Sequence, residues 1–384
     1  MQNPNRTLPY SRQLVEEEDI QAVAEVLRSD YLTQGPKIDE FEKALANYCG
    51  AKYAVVVATG TAALHAAYFA AGLKPGEEII TSPNTFAATS NAALYLDAKP
   101  VFVDIEPETG NIDVSKIEEK ITEKTRIIAP VHYSGHAVDL DAFHEIVRKH
   151  DLIIVEDASH AIGAKYKGKK IGAFSDMTVF SFHPVKPITT GEGGAILTDN
   201  EEYYEKLKLF RTHGITKDPE MLQNKDVGPW YYEMQCLGFN FRITDIQCAL
   251  GLSQLKKLDD FIEHRRKIVK MYQDAFERDE RIVIPHEKEY AFSSWHLVPA
   301  RLRGDMIPGR RDIFEALRAK NIWVQVHYIP VYWQPYYQKL GFKKGLCPEA
   351  EKFYESEISL PVFQGMKDEE TEYVIDSLKS IMAS

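Results

Sequence analysis

Hydrophobic residues alternate between two spacings along the first two thirds of the chain. Apolar positions three or four residues apart predict amphipathic helices, as in V-E-E-E-D-I-Q-A-V-A-E-V-L (15–27) and F-E-K-A-L-A-N-Y (41–48). Short apolar, β-branched runs predict buried strands at 53–57, 78–81, 100–103, 126–130, 152–155, 177–182 and 195–198. Helical patterns lie between several of these strands, at 62–71, 87–96 and 140–150. This alternation predicts an α/β fold with a mostly parallel sheet covered by helices.

The pattern changes in the last third of the chain. A polar, irregular stretch covers 213–238, and one long helical pattern follows at 243–276. Beyond it, strand patterns at 293–302 and 322–326 mix with helical patterns at 311–319, 349–355 and 369–380. We therefore predict a large domain, residues 1–250, and a smaller α+β domain, residues 251–384.

Composition narrows the class of protein. The 384 residues are 44% hydrophobic and 27% charged, and no apolar run reaches the length of about 18 residues that a membrane span needs. The first ten residues lack the apolar core of a signal peptide, and the four cysteines form no C-x-x-C pair, so we expect a cytoplasmic protein with reduced thiols. A net charge of −11 argues against nucleic-acid binding.

A lysine between two prolines is the first candidate for chemistry. Pro184 and Pro187 make a helix unfavourable in S-F-H-P-V-K-P-I-T-T-G-E-G-G (181–194), and its glycine-rich end predicts a tight turn into the next strand. Lys186 is then an amine on a stiff loop, which suits a lysine that forms a Schiff base with a bound carbonyl compound. A solvated surface lysine would also explain these residues when they are taken alone.

A second motif predicts an anion site. In V-V-V-A-T-G-T-A-A-L (55–64) a strand ends at Thr59-Gly60-Thr61 and a helix begins at once. Backbone N–H groups at a helix start, together with the helix dipole and nearby hydroxyls, can hold one phosphate group. The segment lacks the glycine spacing of nucleoside-triphosphate and dinucleotide sites, and the same residues could serve only as a helix cap.

Two further residues follow predicted strands. Asp157, in E-D-A-S-H-A-I-G-A (156–164), ends a buried strand at the edge where open α/β sheets bind ligands, although it could instead cap the next segment. A metal site at Asp157 and His160 lacks the further ligands that it would need, so we predict no metal. Phe86 could stack on a planar ring or simply pack at the start of a helix.

One molecule would use all of these features. Pyridoxal 5′-phosphate has a phosphate for the helix start, an aldehyde for Lys186, a flat ring for Phe86 and a basic ring nitrogen for Asp157. An adjacent opposite charge shifts a pKa by roughly 1–3 units, so Asp157 would keep that nitrogen protonated. Lys186 would then act as the base that moves the substrate proton.

Four motifs together resemble the DegT/DnrJ-type nucleotide-sugar aminotransferases. They are S-F-H-x-x-K-x-x-T-T-G-E-G-G, E-D-A-S-H-A-x-G-A, T-G-T-A-A-L and L-G-F-N-F-R-I-T-D-I-Q, and they are spread along most of the chain. The resemblance implies the fold type I, or aspartate-aminotransferase-like, architecture in a homodimer with a shared active site. It also implies transamination of a nucleotide-linked keto sugar, because a dehydratase branch of the family carries His where this chain has Lys186.

The resemblance also implies roles for individual residues. Lys186 is the lysine that binds the cofactor, Asp157 is the partner of the ring nitrogen, and Phe86 is the aromatic residue that stacks on the ring. His160 lies near the ring hydroxyl, where many relatives carry Gln. The remaining cofactor contacts are Gly60, Thr61, Ser181 and, from the second subunit, Asn240.

The segment W-V-Q-V-H-Y-I-P-V-Y-W-Q-P-Y-Y (323–337) is rich in aromatic residues, which suit stacking on a uracil or sugar face. With R-T-H-G-I (211–215), it resembles family members that aminate C4 of a UDP-linked 4-keto-6-deoxy-N-acetyl sugar for pseudaminic acid, using L-glutamate through the pyridoxamine 5′-phosphate form. The predicted substrate contacts are His213, Arg242, His327 and Tyr328. Alternatives are the GDP-perosamine, UDP-bacillosamine and dTDP-sugar routes and, more remotely, a non-catalytic regulator that binds pyridoxal phosphate.

Overall fold

A seven-stranded sheet forms the centre of the computed structural model, which describes residues 7–383. The strands in chain order are β1 (Tyr53–Val57), β2 (Glu78–Thr81), β3 (Lys99–Phe102), β4 (Thr125–Ala129), β5 (Ile153–Asp157), β6 (Met177–Ser181) and β7 (Gly194–Thr198). Their order across the sheet is β1-β7-β6-β5-β4-β2-β3. The pairs from β6 to β3 are parallel, whereas β7 runs antiparallel to both of its neighbours. The prediction of a mostly parallel sheet is confirmed.

Helices cover both faces of this sheet. The helices of the described residues, including those of the C-terminal part, are α1 (Glu17–Leu27), α2 (Pro36–Cys49), α3 (Gly60–Ala70), α4 (Ala88–Leu94), α5 (Leu140–His150), α6 (Glu201–Arg211), α7 (Asp245–Leu255), α8 (Leu258–Phe276), α9 (Arg310–Ala319), α10 (Pro335–Lys339), α11 (Pro348–Ser356) and α12 (Asp368–Met382). Along β1, Ala54 and Val56 pack into one apolar cluster, and Val55 and Val57 into another. Both faces of β1 are therefore buried, which explains its continuous apolar sequence. No helix within residues 7–383 is both long enough and apolar enough to cross a membrane.

The long helical pattern at 243–276 is two helices, so its prediction as one was wrong. Lys256 and Lys257 separate α7 from α8, and the Lys257 ammonium reaches back to the carboxylates of Glu16 (2.9 Å) and Asp19 (2.8 Å). No glycine or proline marks this break, so the apolar periodicity alone could not reveal it.

A second apolar core lies in the C-terminal part of the chain. Its antiparallel sheet has the strands β8 (Ile282–Val283), β9 (Val298–Leu302) and β10 (Glu357–Leu360). This core takes side chains from residues 268–382 and also Leu8, since Leu8–Pro9 pairs in parallel with Ile322–Trp323. The domain boundary at residue 250 stays a prediction. Shorter strands elsewhere are Lys165–Tyr166, Lys169–Lys170, Ala291–Phe292, Ile215–Thr216 and Glu233–Met234.

The N-terminus of α2 is capped by a carboxylate from a distant helix. Asp245, which is fully buried at the start of α7, accepts hydrogen bonds from the backbone N–H groups of Gly35 (2.8 Å) and Lys37 (2.9 Å). These donors have no partner within their own helix, and the negative charge faces the positive end of the helix dipole. Asp245 thus fastens α2 to α7.

We expect Asp245→Ala to lower the free energy of unfolding by about 3 kcal/mol, because two charge-assisted hydrogen bonds are lost and their partly buried donors are left without an acceptor. Urea denaturation measures this change. The matched control is Asp274→Ala, which removes an exposed helical carboxylate paired with Lys270 and should change stability by about 0.5 kcal/mol or less. Equal effects of the two substitutions would contradict the capping role.

Candidate functional site

A cavity of about 780 Å³ opens where β5 and β6 end and α3 begins. Its wall is completed by the loop after β6 and by the aromatic segment around residues 325–334. Nine residues predicted from the sequence line it: Gly60, Thr61, Phe86, Asp157, His160, Ser181, Lys186, His327 and Tyr328. Ligands of open α/β folds bind at this edge of the sheet.

Lys186 is buried on the loop between β6 and β7. Its side chain is only 9% exposed, and its backbone N–H bonds to the carbonyl of His183 at 2.9 Å. Its Nζ lies 3.4 Å from Nε2 of His296. Burial lowers the pKa of Lys186 to about 8; the carboxylate of Asp157 opposes that shift, and the guanidinium of Arg265 adds to it. Lys186 is therefore not the solvated surface lysine that the sequence alone also allowed.

Asp157 ends β5, directly beside β6, and is buried at 5% exposure. Its Oδ2 accepts a hydrogen bond from the Thr89 hydroxyl at 2.6 Å, and its Oδ1 accepts one from the backbone N–H of Ser159 at 3.1 Å. The carboxylate thus caps the following turn and also lines the cavity. Two fixed donors hold its orientation toward whatever the cavity binds.

The start of α3 forms the expected anion cradle together with β6. Thr59 caps the helix, with its Oγ1 accepting a bond from the Ala62 N–H at 3.0 Å. A Cβ on Gly60 would lie 2.8 Å from Cβ of Ser181, so glycine allows the helix start to approach that serine closely. The first N–H groups of α3 and the Ser181 hydroxyl therefore meet at one place, as phosphate binding requires.

Two histidines beside Lys186 are buried and neutral. His160 Nε2 lies 3.0 Å from the Tyr328 hydroxyl, and the rings of His160 and His296 are 4.5 Å apart. Burial, and then the charge of Lys186, hold both pKa values well below the usual range. Within the described part of the chain, Nδ1 of each ring is buried without a hydrogen-bond partner. Such atoms are rare in folded proteins, so they favour a polar ligand at this place.

His327 is oriented by a chain of hydrogen bonds that starts on β10. The Ser359 hydroxyl donates to Glu357 Oε1 at 2.5 Å and lies 2.8 Å from Nδ1 of His327, while the backbone N–H of His327 donates to Glu357 Oε2 at 2.8 Å. Burial raises the pKa of Glu357 to about 8 and lowers that of His327 to about 3. Since Nδ1 is engaged, Nε2 is the nitrogen of His327 that remains for a ligand.

Three predicted residues do not line the cavity of this chain. His213 is exposed, and its N–H bonds to the carbonyl of Phe239; Asn240 is exposed beside Thr212, and Arg242 is half-buried. Asn240 was predicted to act on the second subunit's site, so its role stays a prediction, as do the substrate roles of His213 and Arg242.

Phe86 lies at the mouth of the cavity with 62% of its surface exposed, so it does not pack into the start of α4. Its ring centroid is 6.4 Å from that of Tyr328. Elsewhere, no cluster of three or more His, Cys, Asp or Glu side chains between residues 7 and 383 could hold a metal ion.

Sequence reasoning missed His296, Glu357 and Ser359. The first contacts Lys186, and the other two orient His327. No local signal marked Glu357, because its segment E-I-S-L alternates polar and apolar residues, although the structure buries all four of them in a strand.

Residues 13–379 match a family model described as the DegT/DnrJ/EryC1/StrS aminotransferase family. A Campylobacter jejuni protein named UDP-4-amino-4,6-dideoxy-N-acetyl-beta-L-altrosamine transaminase is 41% identical over 378 residues, which cover 98% of this chain and 97% of the relative. The structure of Helicobacter pylori PseC, described as an aminotransferase involved in the biosynthesis of pseudoaminic acid, is similar with a TM-score of 0.93 and 36% identity, covering 98% of this chain and all of PseC. The PLP-form of a putative sugar aminotransferase from Streptococcus pneumoniae has a TM-score of 0.92 and 32% identity, with 98% and 99% covered.

Proposed function

Because the chain belongs to the DegT/DnrJ/EryC1/StrS aminotransferase family, we propose that it aminates C4 of a UDP-linked 4-keto-6-deoxy-N-acetyl sugar, with L-glutamate as the amino donor. The resemblance predicted from the sequence motifs is confirmed. The protein is a sugar aminotransferase with pyridoxal 5′-phosphate as its cofactor. The choice of sugar is supported by the names of the Campylobacter relative and of PseC.

One observation carries the proposal: a single cavity is lined by the buried amine of Lys186, the carboxylate of Asp157 and the N-terminus of α3. These groups fit pyridoxal phosphate. The helix start at Gly60 can bind a phosphate, and the buried Nδ1 atoms of His160 and His296 can hydrogen-bond to polar groups of a ligand. When bound, the cofactor supplies an aldehyde for an amine and a ring that draws electrons from the substrate.

Asp157, Lys186 and His296 have separate roles in the reaction. Asp157, fixed by Thr89 and the Ser159 N–H, places a negative charge where a ring nitrogen would be protonated. Lys186 takes the proton from Cα of the amino donor and returns one to C4 of the sugar. After each transfer its ammonium can donate to Nε2 of His296, which burial keeps neutral.

The sugar and nucleotide are proposed to occupy the outer part of the cavity. His327 offers Nε2 there as a hydrogen-bonding group, with its ring fixed through Ser359. Tyr328 and the neighbouring aromatic side chains supply the apolar walls that sugar and uracil faces stack on.

We further propose a homodimer in which Asn240 reaches the second subunit's site. Exposed apolar side chains are concentrated just before Asn240, including Trp230 (71% exposed) and Leu237 (77%). A concentration of exposed large apolar side chains is typical of protein contacts. Phe86 and its surroundings at the cavity mouth expose further aromatic surface.

The lowered pKa of Lys186 gives a prediction for cofactor loading. Only the neutral amine attacks an aldehyde, and with a pKa of about 8 its fraction rises as pH increases through that value. The rate at which the cofactor-free chain captures pyridoxal phosphate should rise roughly fivefold between pH 7 and 8 and level off above about pH 9. Stopped-flow absorbance measures this rate. A continued tenfold rise per pH unit beyond pH 9 would show an ordinary, solvated lysine.

A panel of nucleotide keto sugars tests the substrate. UDP-linked, GDP-linked and dTDP-linked 4-keto-6-deoxy sugars, each supplied with L-glutamate, are compared by kcat/KM from 2-oxoglutarate release. The proposal expects the UDP-linked N-acetyl sugar to be preferred by at least about tenfold, which corresponds to about 1.4 kcal/mol. Preference for a GDP- or dTDP-linked sugar would overturn the substrate, and no release with any sugar would favour a regulator.

A further inference from the structure

A fully buried arginine lies on α8 beneath the site. Arg265 is 0% exposed, and its guanidinium donates to oxygens that all come from distant parts of the chain. The acceptors are Gln364 Oε1 (2.8 and 3.0 Å), Ser11 Oγ (3.3 Å) and the backbone carbonyls of Val362 (3.0 Å), Trp295 (3.2 Å) and His296 (3.4 Å). Each of these partners is uncharged, so the guanidinium is held by dipoles.

Two of these partners continue directly to the residues on either side of Lys186. The Ser11 hydroxyl, which accepts from Arg265, donates to the backbone carbonyl of Val185 at 2.8 Å. The Gln364 side chain, which also accepts from Arg265, donates through Nε2 to the carbonyl of Pro187 at 3.0 Å. The two backbone carbonyls that flank Lys186 are therefore both tied to one guanidinium through a single intervening side chain.

A third branch reaches the amine itself. Arg265 Nη1 bonds to the carbonyls of Trp295 and His296, and the His296 ring lies 3.4 Å from Nζ of Lys186. Arg265 is thus connected to the backbone before Lys186, to the backbone after it and to the residue whose ring lies beside its amine. The contacts join α8, the segment before α1 and the segment after β10.

We propose that Arg265 is a positioning residue, which holds the Lys186 loop and the His296 ring in the arrangement that lets the amine of Lys186 reach cofactor and substrate. This inference rests on the proposed function of Lys186.

The chemistry of arginine explains why this residue type suits the position. Its planar group offers five N–H donors in fixed directions, enough to bind several oxygens at once, whereas lysine offers a single point charge. A buried charge without a counter-ion costs stability, so packing alone does not account for it. Burial lowers the pKa of Arg265 to about 9, which leaves the group charged at neutral pH, and that charge adds to the lowering of the pKa of Lys186.

The test measures capture of pyridoxal phosphate by the cofactor-free full-length chain across pH, which gives a plateau rate and an apparent pKa independently of turnover. Arg265→Met removes both the positive charge and the hydrogen bonds that hold the Lys186 loop. We therefore expect the apparent pKa of Lys186 to rise by about one unit and the plateau rate to fall roughly tenfold. Arg265→Lys keeps the positive charge but loses the planar set of N–H donors. Its plateau rate should therefore fall, while its apparent pKa stays near that of the wild type.

Ser11→Ala is the milder variant, because it removes the hydrogen bond to the carbonyl of Val185 and leaves the charge of Arg265 in place. Its plateau rate should fall roughly threefold with no shift in apparent pKa. The matched control is Tyr272→Phe, which removes another buried hydrogen bond of α8, to the carbonyl of Pro361 at 2.9 Å, without touching the Lys186 loop.

Plateau rates of Ser11→Ala and Arg265→Lys equal to that of Tyr272→Phe would overturn the positioning role. If the wild-type chain itself captures no pyridoxal phosphate, the proposed function fails. If the wild type captures it and all variants match the wild type, only the role of Arg265 fails.

Discussion

Lys186→Ala is expected to reduce turnover by roughly four orders of magnitude or more, since one residue supplies both the covalent attachment and the proton transfer. Alanine also leaves the buried space beside His296 without an amine. The variant should still fold, because removal of a buried charge relieves a desolvation cost. It should show no absorbance band from a lysine-bound cofactor after incubation with pyridoxal phosphate.

Steady-state release of 2-oxoglutarate and the visible spectrum measure the two effects separately. Lys206→Ala serves as the control, because it removes an exposed helical lysine that pairs with Glu202 and should leave both readouts unchanged. If Lys186→Ala retained turnover within tenfold of the wild type, the amine of Lys186 would not be needed for the reaction, and the proposed function would be wrong.

Asp157→Asn is expected to lower kcat roughly 100-fold, and its effect differs in kind from that of Lys186→Ala. Asparagine keeps the shape of the side chain but not the charge, so the pKa of a ring nitrogen beside it falls by roughly 1–3 units. Attachment through Lys186 does not need that charge, so the visible band should persist, shifted in its pH dependence. The combination of retained binding and lost turnover is the signature of a charge that acts on the ring.

Thr89→Val separates the charge of Asp157 from its orientation. The Thr89 hydroxyl donates to Oδ2 at 2.6 Å, so valine removes a fixed donor and leaves the carboxyl group itself in place. We expect kcat to fall about tenfold or less, in line with one lost hydrogen bond of about 1–1.5 kcal/mol. A kcat for Asp157→Asn no lower than that of Thr89→Val would show that the charge itself is dispensable.

Local rules were enough to place some residues of the inner part of the site. Asp157 ends an apolar run that predicts a buried strand, and parallel neighbours end at the same edge of a sheet, whereas Ser181 was predicted from the family resemblance. Thr59 marks a helix start because its side-chain oxygen caps the first turn. For Asp157 and Thr59, position along an element is enough to place the side chain.

The outer part of the site and its supports could not be predicted in this way. Arg265 meets Ser11 across 254 residues of sequence, and Gln364 meets Pro187 across 177, so no local pattern relates them. Ser359 lies on a strand that apolar spacing did not reveal. His296 lies within the predicted strand 293–302, which in the structure begins only at Val298. Such contacts depend on how the two cores pack together.

The position of β7 between β1 and β6 has a consequence for the growing chain on the ribosome. β1 lies at the edge of the sheet and is hydrogen-bonded to β7, which is made long after it, with Val57 opposite Gly194. Until β7 has left the exit tunnel, β1 has no strand partner in the sheet. The phosphate cradle at Gly60 and Ser181 is therefore completed only after residue 198 of the 384 has been made, so pyridoxal phosphate cannot organise the strands that precede it.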